Sequence, residues 1–148
     1  KTAYEVLRSL VGSEMCIRDR LQVGSSTGGG RWPGKDTTKS ILFSNSNITY
    51  DYIKTMGIEL VNGRDFDHSF STDTVNYLIN ESAAKKIGYT DPVGKELTMW
   101  GEKGQIIGLM KDFHDNSLHV PIDPLIIRLF KPRWHSVWGY IIVRTEAG

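Results

Sequence analysis

The sequence predicts an α+β domain in which one or two short helices cover a mixed β-sheet. Stretches with the apolar or alternating pattern of strands outnumber those with a helical pattern, and the helical stretches are short. Turn signals such as Asn-Gly and Asp-Pro separate these stretches, and the chain has no internal repeat. A chain of 148 residues is long enough for one domain with a hydrophobic core.

Composition narrows the classes of function. Apolar residues make up 39% of the chain and charged residues 24%, which is typical of a globular protein. The net charge of +1 gives no electrostatic indication of a nucleic acid or an anionic membrane as partner. Cys16 is the only cysteine, so a disulfide framework and a thiolate metal cluster are excluded. No apolar run approaches the ~20 residues that span a bilayer, and the chain is expected to be soluble.

Residues 1–24 are expected to be a non-native or disordered segment. The string SLVGSEMCIRDR begins at Ser9, ends at Arg20 and resembles a translated adaptor sequence. The alternative is an ordinary amphipathic segment, because apolar residues recur at helical spacing from Tyr4 onward. The domain itself is expected to occupy residues 25–148.

Residues 24–39 are rich in Gly, Ser and Thr and are predicted to form a loop. A run of three glycines begins at Gly28 and suggests phosphate binding. A P-loop, however, follows a strand and ends in Gly-Lys-Ser or Gly-Lys-Thr, whereas this segment has Gly-Lys-Asp and no preceding apolar strand. The simpler interpretation is a loop that Trp32 anchors to the domain.

The next part of the chain predicts a strand and a helix. Residues 41–43 are apolar and form a short strand candidate. Residues 48–56 have a helical pattern, and Gly57 is a natural end for that helix. Thr49 or Asn47 is the predicted cap at its start.

Strand and loop signals alternate over the following stretch. Residues 58–61 alternate as a strand, and the Asn-Gly pair after them predicts a turn. Arg64 is predicted to be structural, paired with a buried carboxylate or a backbone carbonyl. Residues 68–74 are polar and predict an exposed loop, whereas residues 75–79 alternate as a half-buried strand.

The clearest local signals surround a central helix. Asn80 is placed to cap a helix over residues 81–87, which contains good helix formers and two lysines in its last turn. Gly88 supplies the left-handed conformation that ends such a helix. The Asp-Pro-Val-Gly string at residues 91–94 then predicts a turn.

The second half of the sequence is predicted to be mostly β-structure. Residues 96–100 and 105–110 predict a β-hairpin with a four-residue loop. Residues 125–130 predict an apolar strand, in which Arg128 suits an edge or an outward position. Residues 140–144 are rich in β-branched residues and predict a closing strand.

The most chemically suggestive cluster consists of Asp112, His114, Asp115 and His119. Carboxylates and imidazoles at such spacing bind divalent metals, and a His-Asp pair also orients a general base. The sequence has neither a His-Glu-x-x-His motif nor a Gly-x-Ser-x-Gly nucleophile elbow. The simpler interpretation puts Phe113 in the core and has His114 hydrogen-bonded locally. A metal-dependent hydrolase that uses Asp112, His114 and His119 stays open as an alternative.

A second alternative depends on two tryptophans in the predicted loop over residues 131–139. Trp134 and Trp138 have the chemistry to stack on a ligand or to contact a protein. This would fit a free-standing soluble ligand- or protein-binding module. Anchoring of the loop to the sheet is the commoner role for such residues.

The order of several short motifs carries a family resemblance. The string INE-x-A-A-K is followed by DPVGK and then by G-x-IIG-x-x-KDFH-x-x-SLH-x-PI-x-PL. Upstream lies TMGIELVNGRDF, and YIIVRTEAG closes the chain. In this order and spacing the motifs resemble the MacB-like periplasmic core domain, found in permease subunits of ABC transporters of the MacB/FtsX type. The resemblance covers residues 25–148.

The resemblance implies a two-lobed α+β domain that is incomplete here, so the parent protein is expected to extend beyond both ends. It also implies a place on the periplasmic side of the inner membrane, between the first and second membrane helices of a permease. The implied partners are those membrane helices, an ABC ATPase subunit or domain, and a periplasmic protein. The implied function is to couple ATP-driven motion to export or to that protein, without covalent chemistry. No catalytic, cofactor-binding or metal-binding residue is carried over.

Overall fold

The computed structural model describes residues 26–36, 38, 40–113, 121–131 and 142–143. These residues form strands, two α-helices and one 3₁₀ helix. In chain order they are β1 (Ser26–Thr27), β2 (Phe43–Ile48), α1 (Tyr52–Met56), β3 (Leu60–Gly63), the 3₁₀ helix (Ser71–Val75), β4 (Tyr77–Asn80), α2 (Glu81–Ile87), β5 (Glu96–Met99), β6 (Glu102–Met110) and β7 (Leu125–Leu129). The predicted α+β class with a mixed sheet is confirmed. No helix in the described part of the chain is long and apolar enough to cross a membrane.

The strands form one mixed sheet in the order β1-β2-β7-β4-β6-β3, and β5 pairs with the first half of β6. The pairs β2–β7 and β4–β6 are parallel, and the other pairs are antiparallel. Strand β7 therefore lies inside the sheet, between β2 and β4. Of the two predicted alternatives for Arg128, the edge position is wrong because β7 has neighbours on both sides; the outward position fits better, since Arg128 is the one residue of β7 that is not fully buried.

Each face of the sheet carries its own hydrophobic core. The core on the α2 face consists of Trp32, Phe43, Tyr77, Ile79, Ala83, Ala84, Ile87, Leu97, Met99, Ile106 and Ile126. The core on the α1 face consists of Ile48, Ile53, Phe66, Leu78, Met110, Leu125, Ile127 and Leu129. All four residues of β4 are buried, so the prediction of a half-buried strand is wrong: helices cover both faces.

A β-bulge in β6 lets this strand serve both cores. Tyr77 is paired with Ile106, but the next residue, Leu78, is paired with Gly108. The extra residue reverses the alternation of side chains. Ile106 thus points into the core on the α2 face, while Met110, an even number of residues later, points into the other.

The hairpin between β5 and β6 has a shorter loop than predicted. Met99 pairs with Glu102, which leaves only Trp100 and Gly101 in the turn. Both have positive φ, 53° and 78°, as the type I′ turn requires. This turn matches the twist of the strands, so the ladder continues into the predicted loop.

Two strands also differ from their predicted bounds. The apolar residues 41–43 mostly precede the strand. β2 instead runs through the polar residues that follow, because all of these pair with β7, and β1 adds a partner at the start of the strand. Strand β3 includes Asn62 and Gly63, which were predicted to form a turn. They instead pair with Leu109 and Gly108 of β6. Pairing within the sheet outweighs local turn preference at both places.

Helix α1 and the 3₁₀ helix show the remaining differences. Neither Thr49 nor Asn47 caps α1; the cap position is Asp51, with φ 64° and no side-chain hydrogen bond, whereas Gly57 ends the helix as predicted. The predicted exposed loop over residues 68–74 contains most of the 3₁₀ helix. Asp73 in that helix is completely buried.

Of the predicted closing strand, residues 140–144, the structure describes only residues 142–143. Neither of them lies in a strand, and both side chains are at least partly exposed. The expectation for residues 1–24 concerns a segment outside the described part of the chain.

Candidate functional site

Asp112 lies where β6 ends, beside the start of α2. Its carboxylate accepts hydrogen bonds from the backbone N–H of Ser82 at 2.9 Å and from the Ser82 hydroxyl at 2.7 Å. Its own N–H donates to the Glu81 carboxylate at 3.0 Å. A carboxylate that satisfies an amide in the first turn of a helix is in its preferred electrostatic position. Asp112 thus ties the end of β6 to α2.

The structure does not describe the other three residues of the predicted metal cluster. His114, Asp115 and His119 lie outside the described residues, as do Trp134 and Trp138. Within the described residues, no group of three or more His, Cys, Asp or Glu side chains is placed to hold a metal ion. Phe113 packs against the core on the α1 face, in agreement with the simpler interpretation of this segment.

Asn80 joins three elements at the same end of the sheet. Its side-chain oxygen accepts from the N–H of Ala83 at 2.9 Å, which is the predicted cap of α2. The same oxygen accepts from the N–H of Leu125 at 2.9 Å, at the start of β7. Its amide nitrogen donates to the carbonyl of Asp123 at 2.9 Å. Gly88 then ends the helix with φ 89°, as predicted.

Arg64 forms the predicted pair with a buried carboxylate, which belongs to Asp73. Two guanidinium nitrogens donate to the two carboxylate oxygens, each at 2.7 Å, and one also donates to the carbonyl of Asp65. The Asp73 side chain is fully buried, whereas that of Arg64 is 38% exposed. The backbone N–H of Asp67 and the amide of Asn76 complete the shell around Asp73. This pair is a structural link between β3 and the 3₁₀ helix.

The two carboxylates beside Arg64 respond oppositely to their surroundings. Burial alone would raise the pKa of Asp73, but hydrogen bonds from Arg64, Asp67 and Asn76 outweigh burial and lower it. Burial dominates for Asp65 and raises its pKa, although the N–H of Phe66 donates to it at 2.7 Å. The ionised form is therefore favoured at Asp73 and disfavoured at Asp65.

Trp100 lies on the surface beside three charged side chains. We call this group the Trp100 surface; it consists of Trp100, Glu102, Arg128 and Lys131. The guanidinium of Arg128 lies 4.1 Å from the indole ring centroid, and Trp100 remains 39% exposed. Glu102 pairs with Lys131 at 2.6 Å and with Arg128 at 3.6 Å.

The residues beneath this surface hold its shape. The Tyr77 hydroxyl donates to the carbonyl of Glu102 at 2.9 Å, and Asn47 accepts from the Nε of Arg128 at 2.7 Å. The indole N–H of Trp100 donates to the hydroxyl of Thr27 at 3.2 Å. An exposed Trp with a stacked Arg has the composition of a contact surface between proteins. Its carboxylate and ammonium groups are engaged with each other, since Glu102 pairs with Lys131.

Sequence reasoning missed both Asp73 and the Trp100 surface. Asp73 lies in a polar stretch, SFSTDT, that has no apolar signal of burial. Trp100 looks like the last residue of a strand until the pairing of Met99 with Glu102 shows it in the turn. An Arg64 without an obvious partner was the only available signal for Asp73.

Comparison with known families gives an extended match. The family model described as "MacB-like periplasmic core domain" matches residues 18–148. A comparison with curated protein sequences finds no significant match.

Solved structures give the same fold at low sequence identity. The extracellular domain of the noncanonical ABC-type transporter YknZ from Gram-positive bacteria is 19% identical, with a TM-score of 0.54 over 72% of this chain and 50% of that chain. The periplasmic region of MacB from Actinobacillus actinomycetemcomitans is 20% identical, with a TM-score of 0.52 over 76% and 50%. A domain of a putative permease protein from Porphyromonas gingivalis is 22% identical, with a TM-score of 0.51 over 71% and 42%.

The chain thus spans half or less of the length of these structures. At such identities the likeness concerns the fold, which is shared over about three quarters of this chain. The family match is independent of it and covers most of the sequence. The chain therefore belongs to the family of MacB-like periplasmic core domains.

Proposed function

We propose that this chain is the extracytoplasmic part of a MacB/FtsX-type ABC transporter permease, which couples ATP-driven motion of membrane helices to export or to a periplasmic partner. The observation that carries the proposal is the family match over residues 18–148. The partners are then the membrane helices of the same permease, an ABC ATPase subunit or domain, and a periplasmic protein. The domain lies on the periplasmic side of the inner membrane and occupies residues 25–148.

The polar interior supports a mechanical role. Asn80 links α2 to β7, Asp112 links α2 to β6, and Asp73 links the 3₁₀ helix to the end of β3. Every buried side-chain nitrogen or oxygen in the described residues has a hydrogen-bond partner. Buried networks that are fully satisfied make a domain rigid. A rigid domain passes on the displacement of an attached helix instead of absorbing it.

The described polar residues also support a role without covalent chemistry. Asp112, the only member of the predicted hydrolase cluster in the described residues, is engaged by the start of α2. The Asp73 carboxylate is buried and fully engaged by Arg64 and by the N–H of Asp67. We therefore propose that the domain acts by contacting another protein, and that the Trp100 surface forms part of this contact.

Sequencing the genomic locus across both ends of the reading frame tests the proposal most directly. We expect membrane helices encoded on both sides of this domain, and an ABC ATPase in the same gene or beside it. A reading frame without membrane helices would contradict the permease assignment. The alternative of a metal-dependent hydrolase that uses Asp112, His114 and His119 would then be tested next, by calorimetry with zinc or manganese.

A functional test uses the complete permease reconstituted with its ATPase in lipid nanodiscs. Replacing the whole periplasmic domain that contains residues 25–148 with a flexible Gly-Ser linker should leave ATP hydrolysis measurable but uncouple it from the transport or partner response. The matched control is the intact permease with Lys86→Ala, a substitution at an exposed position of α2 away from the Trp100 surface. Retention of the coupled response without the domain would show that the domain does not transmit the motion.

A further inference from the structure

We propose that Asn62 is a site of spontaneous deamidation, formed through a succinimide with Gly63, and that the new carboxylate breaks the contact with Asp91. The proposal concerns chemical modification of the folded chain and does not depend on the permease assignment. It rests on the geometry of β3 and on the contrast between Asn62 and the buried asparagines.

The reacting atoms already lie side by side. The backbone N–H of Gly63 donates to the side-chain oxygen of Asn62 at 2.8 Å, so the amide nitrogen is next to the carboxamide carbon that it must attack. Gly63 has no side chain to crowd that approach. Both residues are exposed, and water and hydroxide have access to them.

The backbone around this pair is held by the sheet from one side only. β3 is the last strand in the sheet order, paired only with β6 among the described strands. The register shifts between Leu60 and Asn62, and Val61 at that irregularity is 51% exposed. Closure of a five-membered ring requires local rotation of the backbone. An edge strand with a bulge permits such rotation at a lower free energy than the interior of the sheet.

The chemistry is balanced with water as the only co-reactant. The deprotonated nitrogen of Gly63 forms a bond to the side-chain carbonyl carbon of Asn62, and the bond from that carbon to Nδ2 breaks with release of ammonia. Water then opens the ring. Cleavage of the new bond gives aspartate, and cleavage of the original peptide bond gives isoaspartate. Neither step involves oxidation or reduction.

The product changes a contact between two segments. In the unmodified chain the Asn62 amide donates to the Asp91 carboxylate at 3.4 Å and thereby joins β3 to the Asp-Pro-Val-Gly turn. After deamidation, two carboxylates face each other and no donor remains between them. Like charges at this distance repel, so the turn should separate from the edge of the sheet.

Buried asparagines in the same chain provide the contrast. Asn76 is 7% exposed and Asn80 is 1% exposed. The side-chain oxygen of Asn76 accepts from Gln105, and the Asn80 side chain makes three hydrogen bonds. The residues that follow them, Tyr77 and Glu81, carry side chains that crowd the attacking nitrogen. Their reaction must wait for local unfolding.

The first test follows the folded 148-residue chain during incubation at mildly alkaline pH. Modification is followed by peptide mapping with mass spectrometry and by isoaspartyl methyltransferase labelling. The rate at Asn62 should be at least about ten times the rate at Asn76 or Asn80, which corresponds to a difference of ~1.4 kcal/mol in the activation barrier. Asn62→Gln is the matched control and should remove the label at this site. If Asn62 in the folded chain reacts no faster than Asn80, the proposal is wrong.

The second test isolates the effect of the product. Asn62→Asp should speed hydrogen exchange several-fold at the amide of Gly94, which donates to the carbonyl of Ile106 at 2.7 Å and reports on the turn. Adding Asp91→Asn to Asn62→Asp should restore the slower exchange, because a donor then faces the carboxylate again. Unchanged exchange in Asn62→Asp would overturn the claimed loss of contact.

Discussion

The two helices lie on opposite faces of one sheet and are held in different ways. Helix α2 begins at Asn80, whose side chain accepts from the first turn, and it buries three residues. Helix α1 begins at Asp51, whose φ of 64° is unfavourable for a residue with a side chain, and it buries one residue, Ile53. Local sequence signals are thus sufficient to account for α2 but not for α1.

The region around α1 depends instead on one charged pair. We compare the α2 region, residues 77–113, with the α1 region, residues 51–75. In the α2 region the buried link is the neutral side chain of Asn80, which makes three hydrogen bonds, and the charged link through Asp112 is only partly buried. In the α1 region the guanidinium of Arg64 neutralises the buried Asp73. The α1 region should therefore be the more sensitive of the two to pH.

Breaking the charged pair should have the largest effect. We expect Arg64→Ala to lower the free energy of unfolding at neutral pH by about 3 kcal/mol, because Asp73 stays buried without its cation. This is the lower end of the range for buried pairs, since Arg64 is 38% exposed and partly screened by solvent. Urea unfolding followed by circular dichroism measures the change.

The pH dependence of that loss identifies its cause. The folded-state pKa of Asp73 is lowered, so the stabilisation is present above the unfolded pKa and is lost as pH falls through the folded pKa. The difference between wild type and Arg64→Ala should therefore shrink in acid. The matched control is Asp65→Asn. Burial raises the pKa of Asp65, so its ionised form opposes folding at neutral pH, and the sign of its charge effect is opposite to that of Asp73. A loss in Arg64→Ala that is constant with pH would contradict the charge argument.

The second prediction breaks the α2 region. Asn80→Ala should cost about 2–4 kcal/mol, because it removes the helix cap and leaves buried backbone groups of Ala83, Leu125 and Asp123 without partners. These groups are neutral, so the loss should be the same at acidic and neutral pH. Asn47→Ala is the control; it removes one hydrogen bond with Arg128 at an exposed position and should lower stability by only about 1 kcal/mol. Equal losses in the two variants would argue against burial as the cause.

The third prediction concerns the place where the two regions touch. A Cβ atom added at Gly108 would lie 2.5 Å from the carbonyl oxygen of Arg64 and 2.7 Å from the side chain of Leu78. We expect Gly108→Ala to cost about 1–3 kcal/mol through this overpacking. Gly28→Ala is the control, since its Cβ would meet nothing closer than 3.6 Å. Thermal unfolding of both variants gives the comparison, and a neutral Gly108→Ala would mean that the bulge can shift.

The same contrast explains how much of the fold could be predicted. The cap at Asn80, the helix after it, the stop at Gly88 and the turn before β5 all follow from neighbours in sequence, and all are observed. Arg64 was correctly expected to pair with a carboxylate, but its partner was hidden in a polar stretch. Burial of Asp73 results from packing of the 3₁₀ helix against the sheet, which no local pattern encodes.

The strand errors have a common physical origin. β2 is polar along most of its length and becomes a strand because β7 pairs with nearly all of it and β1 pairs with its start. The Asn62-Gly63 pair lies in a ladder with β6 for the same reason. Likewise, the interior position of β7 and the Trp100 surface depend on which strands are neighbours. The sequence motifs therefore predict the family and the central helix better than they predict the candidate contact surface.

The smallest effect should come from repairing the start of α1. Asp51→Gly is expected to raise stability by about 0.5 kcal/mol, because glycine adopts the φ of 64° without a side-chain penalty and no side-chain cap is lost. The backbone carbonyl of Asp51 still accepts from Thr55. Asp51→Asn is the control for charge, since the carboxylate of Asp51 contributes to raising the pKa of Asp65. If chemical denaturation shows Asp51→Gly to be more stable than Asp51→Asn, the backbone is the cause. If Asp51→Gly is less stable than wild type, the weak start of α1 is not a source of instability, and the contrast between the two helices lies in their burial alone.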